Sequence, residues 1–65
     1  MADKDCHEQC VAAYKTRVTK LFDVLAECLL TADSEGAKQE CKNRFSRGLR
    51  AAREARDICV GICDE

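Results

Sequence analysis

Cys10, Tyr14, Val18, Leu21, Leu25, Cys28 and Leu29 recur at spacings of three and four, the period that lays side chains along one face of an α-helix. No breaker interrupts the run before Thr31, so a first helix is predicted over about residues 4–31. Asp3 or Asp5 would cap it, and acidic residues at that end suit the helix dipole. The stretch Thr31-Ala32-Asp33-Ser34-Glu35-Gly36 then gathers the mid-chain capping and turn residues. It predicts a turn over about 32–35, with Asp33 or Ser34 capping a second helix over about 36–63. Cys41, Phe45, Leu49, Ala52, Cys59 and Cys63 carry the apolar line of that helix. Gly48 and Gly61 weaken it without marking a turn. The expected fold class is all-α: an antiparallel two-helix hairpin, residues 1–65 forming one domain.

The cysteines stand at 6, 10, 28, 41, 59 and 63, so the steps 4, 18, 13, 18 and 4 read the same in both directions. Cys6 with Cys63, Cys10 with Cys59 and Cys28 with Cys41 all share the position sum 69. Residues at one height of an antiparallel hairpin share a constant sum, so one register brings all three pairs face to face. The 18-residue step is five turns at about 3.6 residues each, so Cys10 and Cys28 project alike, as do Cys41 and Cys59. A step of four keeps Cys6 and Cys63 near those lines. Of the fifteen connectivities open to six cysteines, only the nested one meets this rule at every pair. The same register sets Leu21 against Gly48, Tyr14 against Ala55 and Val24 against Phe45, large side chains meeting smaller ones at two of the three positions.

Sixty-five residues bury too little apolar surface to offset the entropy of ordering them without staples, a metal or a partner. Three nested disulfides are the expected staples, at roughly 2–4 kcal/mol each and less where closures share a loop. They imply an oxidising compartment: secreted, periplasmic or mitochondrial intermembrane space. The absence of proline and the abundance of Ala, Leu, Lys, Arg and Glu agree with long helices. With a net charge of −1, no whole-molecule attraction to nucleic acid or anionic lipid is implied. No apolar run is long enough to span a membrane and no signal peptide is visible. Met1 is either the natural start or a start codon placed before a mature exported form.

Val11, Val18, Phe22, Leu25 and Leu29 form a second apolar stripe, turned roughly 100° from the cysteine line on an ideal helix. A lone hairpin exposes much of it. The stripe reads as a docking surface for a protein partner, most economically a second copy forming a four-helix bundle. The plainer reading is partial cover by long side chains such as Lys15. Residues 42–56 are locally basic, and Arg47, Arg50 and Arg53 are candidates for a secondary contact with an acidic partner or for an ordinary solvated face.

Metal chemistry is the sharpest alternative. Cys6, Cys10, Cys59 and Cys63 gather at the open end beside His7, and four thiolates on facing helices are able to hold Zn2+ or Cu(I). The matched pairing of all six cysteines favours bridges, so no resident metal or other cofactor is expected. Redox catalysis lacks the usual two-residue gap at a helix start. Nucleophilic catalysis lacks a glycine-rich elbow and has one histidine to draw on, so an enzyme is not expected.

Cys6-x-x-x-Cys10 and Cys59-x-x-x-Cys63 resemble the twin-CxxxC helical hairpins. These include the plant α-hairpinins, among them antimicrobial peptides and protease inhibitors, and small chaperones of the mitochondrial intermembrane space. In those families the two motifs stand far closer together than Cys10 and Cys59 do, and they have no inner pair like Cys28 and Cys41. The nested order is also similar to that of the longer saposin-like lipid-binding proteins. Each resemblance covers the cysteine frame and implies a disulfide-clamped helical fold; no functional residue carries over. The functional expectation is a non-enzymatic helical scaffold that binds protein, with a secreted effector (antimicrobial, toxin-like or inhibitory) and a thiolate metal carrier as alternatives. Near-neutral charge counts against attack on membranes.

Overall fold

The computed structural model describes residues 4–65 and consists of two helices, α1 (Lys4–Thr31) and α2 (Glu35–Cys63). They pack antiparallel and are joined by Ala32, Asp33 and Ser34. Among the described residues there is no strand and no residue with positive φ. The chain therefore reverses without a left-handed residue, and Gly36 lies inside α2, not in the bend.

Ser34 is the cap that starts α2. Its backbone is extended (φ −150°, ψ 163°), and its hydroxyl oxygen accepts a hydrogen bond of 3.0 Å from the Ala37 amide. The Ser34 carbonyl takes the Lys38 amide at 3.0 Å. Capping from Ser34 begins the helix at Glu35, one residue before the expected 36, and puts that carboxylate in the first turn, where the dipole favours it. Of the two caps considered for α1, Asp3 falls outside the described residues. Asp5 lies within the first turn of α1, placed to interact with the dipole.

The three bridges are those of the mirror register: Cys6–Cys63, Cys10–Cys59 and Cys28–Cys41, with Cα–Cα distances of 5.8, 5.9 and 5.8 Å. The near-equal separations hold the two helices at one spacing from the open end to the bend. The predicted side-chain pairing is also present. A Cβ built on Gly48 would stand 2.5 Å from a methyl carbon of Leu21, so Leu21 occupies the space that any side chain at 48 would need.

The molecule is a rod of 52 × 14 × 8 Å with a radius of gyration of 15.1 Å. A compact domain of this length has a radius of about 11 Å. Among the described residues only Cys10, Cys41 and Ala52 are buried. Two of the three are bridge sulfurs' own residues, so the interior consists largely of the cross-links themselves. A core this thin supplies little hydrophobic stabilisation, and the covalent closures carry most of what opposes chain entropy.

Candidate functional site

Two features stand out on this rod: the apolar surface it leaves uncovered, and the sulfur cluster at its open end.

The uncovered surface begins with the stripe on α1. Val11 and Leu29 are 38% exposed and Phe22 is 62% exposed, whereas Val18 and Leu25 are half-buried at the margin of the seam. An antiparallel pair has a two-fold relation normal to its plane, so equal angular offsets from the two cysteine lines open onto the same face. On ideal helices Val11, Val18, Leu25 and Leu29 lie roughly 60–100° from that line, and Leu49 and Val60 of α2 lie roughly 80–100° from theirs. Leu49 and Val60, both half-buried, therefore extend the stripe across the seam onto the second helix. Neither is apparent as a surface residue from the periodicity of α2 alone.

The opposite face carries Val24, Ile58 and Ile62, each 57% exposed or more, and Leu30 is exposed beside the bend. Val24 lines a shallow groove with Leu21, Leu25, Arg44 and Phe45, the groove that the predicted Val24–Phe45 pairing creates. A second groove nearer the open end is lined by Ala13, Tyr14, Arg17, Ala52, Ala55 and Arg56. There the Arg56 guanidinium carbon lies 4.6 Å from the centre of the Tyr14 ring. The same guanidinium pairs with the adjacent Asp57 at 3.1 Å. Arg56 thus closes the groove over Tyr14, a contact that sequence spacing did not single out.

Arg47, Arg50 and Arg53 are exposed and, among the described residues, make no ion pair. Arg50 lies roughly opposite the cysteine line of α2, with Arg47 and Arg53 roughly 60° to either side. They form a ridge on the outer surface of α2, and the structure does not bring them together with the apolar stripe on α1.

At the open end the bridges Cys6–Cys63 and Cys10–Cys59 lie side by side. The Sγ atoms of Cys6, Cys10 and Cys63 are all within 4.8 Å of one another. Cys10 Sγ and Cys63 Sγ, which belong to different bridges, approach to 3.7 Å. Both sulfurs are bridged and neither carries a proton, so this is a van der Waals contact. His7 Nε2 and Asp64 Oδ1 meet at 2.7 Å beside them and add a polar clasp across the two chain ends. Cys10 is 3% exposed, while Cys6, Cys59 and Cys63 are half-buried. The Cys28–Cys41 bridge stands alone near the bend.

Fold and cross-links make this chain a disulfide-stapled helical hairpin. Comparison with protein-family models, curated proteins and solved structures found no match to it. Among the described residues no helix is long and apolar enough to cross a membrane.

Proposed function

We propose that the hairpin is a non-enzymatic, disulfide-stabilised scaffold of an oxidising compartment, and that it docks a protein partner through the face built from Val11, Val18, Phe22, Leu25, Leu29, Leu49 and Val60. A second copy is the partner that fits most economically. One observation carries the reading. The accessible surface is 5113 Å² for 7.3 kDa, against the roughly 4,200 Å² expected of a monomeric protein of that mass. The excess, about 900 Å², is close to the roughly 800 Å² per partner that a standard protein interface removes from water. Apolar side chains line the face, and pairing two such faces yields a four-helix bundle.

The rigid frame favours such a role. Bridges at both ends fix the spacing of the helices before the partner arrives, so little ordering remains to oppose binding. The two grooves along the seam are lined mostly by apolar and small side chains with arginines at their rims, which suits contact more than chemistry.

Sedimentation equilibrium of the oxidised protein tests the proposal. A reversible dimer is expected at micromolar concentration, and Phe22→Lys, which places a charge in the middle of the face, is expected to return it to monomer with unchanged helicity. A wild-type chain that stays monomeric at millimolar concentration would overturn the self-association reading.

A further inference from the structure

The geometry points to a second state of the open end: once its two bridges are reduced, Cys6, Cys10, Cys59 and Cys63 form a four-thiolate site for Zn2+. This goes beyond the scaffold reading, which concerns the oxidised molecule.

The argument starts from distance. Zinc–thiolate bonds are about 2.3 Å long, so the sulfurs of a tetrahedral four-thiolate site stand about 3.8 Å apart. Cys10 Sγ and Cys63 Sγ are already 3.7 Å apart with no bond between them. Cys6 Sγ lies within 4.8 Å of both, and Cys59 is tied directly to Cys10. One edge of the tetrahedron is in place. Two further edges require the bridged pairs to part from a bond length of about 2 Å to about 3.8 Å, and the last three close as Cys6 and Cys59 turn toward the shared centre. Cα atoms 5.8 and 5.9 Å apart leave room for side-chain rotation to supply that change.

Placement supports the same conclusion. Each helix contributes two ligands one turn apart, so the four thiols arrive from two sides. The Cys28–Cys41 pair has no second pair at its height and is able to form only a bridge or a dithiol. The His7–Asp64 contact spans the same end, beside the four sulfurs.

The reaction balances with a dithiol reductant. Two bridges take up four electrons and four protons from two dithiols, which leave as cyclic disulfides. The four thiols then release four protons as four Zn–S bonds form, and zinc undergoes no change of oxidation state. Two equivalents of a disulfide oxidant, such as oxidised glutathione, take the four electrons back and leave as four thiols; the two bridges re-form and the ion is expelled, so occupancy reports the redox condition around the protein.

The test uses the full chain, reduced with dithiothreitol, freed of reductant under nitrogen and titrated with Co2+. The expected result is one Co2+ per chain, with sulfur-to-cobalt charge-transfer bands and the intense visible bands of a tetrahedral site, all displaced by Zn2+. The Cys28→Ser/Cys41→Ser variant is expected to retain the full spectrum. The Cys6→Ser/Cys63→Ser variant is expected to lose it, with Zn2+ affinity falling about 100-fold or more. Absence of charge-transfer bands in the parent, half an equivalent of metal per chain, or an unchanged spectrum in Cys6→Ser/Cys63→Ser would each overturn the site. None of these outcomes bears on the oxidised dimer.

Discussion

Leu21 fills the space that a side chain on Gly48 would take: a Cβ at 48 would lie 2.5 Å from Leu21 Cδ2, and 3.5 and 3.6 Å from its Cδ1 and Cγ. The glycine is there for the approach of a neighbour, since no described residue adopts positive φ. The crowded atom is the tip of a flexible side chain, so one methyl group is tolerable. In Gly48→Ala the gain in helix propensity, about 1 kcal/mol, roughly offsets the displacement of Leu21. Gly48→Leu has no such room and is expected to cost about 1–3 kcal/mol. Thermal denaturation should show the first near wild type and the second clearly lower. Partial rescue of Gly48→Leu by Leu21→Ala would confirm the pairing.

Gly61 makes the opposite case. Nothing lies within 4 Å of a Cβ built there. Gly61→Ala should therefore stabilise the protein by up to about 1 kcal/mol, less if the last turn frays. A loss of stability would mean that this surface is covered by something, and the oligomeric state of the variant would then show what.

The three bridges should differ in worth through burial more than through loop length. Removing Cys10–Cys59 or Cys28–Cys41 merges two adjacent rings into one, and removing Cys6–Cys63 opens the short ring it forms with Cys10–Cys59 into two tails, so the entropic loss is roughly 2–3 kcal/mol in each case. Cys10 and Cys41 are each 3% exposed, whereas Cys6 and Cys63 are half-buried. Cys10→Ser/Cys59→Ser and Cys28→Ser/Cys41→Ser also bury a hydroxyl in place of sulfur, for about 1 kcal/mol more. Urea denaturation should rank Cys6→Ser/Cys63→Ser as the mildest of the three pairs, and a reversed order would contradict this account.

Ser34→Ala removes the acceptor for the Ala37 amide and should cost about 1 kcal/mol, while Ser34→Asp should retain most of the stability. Hydrogen exchange should show the loss concentrated in the first turn of α2. Uniform loss along both helices would indicate that the bend, and not the cap, had changed.

The two apolar faces are separable by substitution. Leu29→Lys on the proposed docking face should weaken self-association at least about tenfold, equivalent to about 1.4 kcal/mol. Ile58→Lys on the opposite face should leave it unchanged. Equal effects in sedimentation experiments would remove the assignment of face.

The cross-link order was legible because a hairpin turns sequence position into height, and equal sums are a one-dimensional quantity. Leu21 against Gly48 followed from the same sum. The bend was legible to within a residue because Ser34 and its neighbours are capping residues; the choice of Ser34 over Asp33 depends on which oxygen reaches the Ala37 amide, which spacing does not encode. The composite face was harder. Leu49 sits among the seam residues by periodicity, and it and Val60 join the stripe of Val11 and Leu29 only when the offsets on both helices are combined with the two-fold relation of the antiparallel pair. The 3.7 Å approach of Cys10 to Cys63 was similarly invisible, because it joins sulfurs whose matched partners lie elsewhere. The Arg56–Tyr14 contact depends on a rotamer, beyond the reach of any pattern.

The outermost bridge joins residues 57 apart in sequence yet 5.8 Å apart in space. Tension applied to the two ends of the chain would pass from Cys6 straight across to Cys63 and bypass everything between. The chain between Cys6 and Cys63, with the other two bridges and the bend, would carry no load while that single covalent link survived. A tether attached at both termini would meet a fixed knot of negligible extensibility, and only a reductant would let it lengthen.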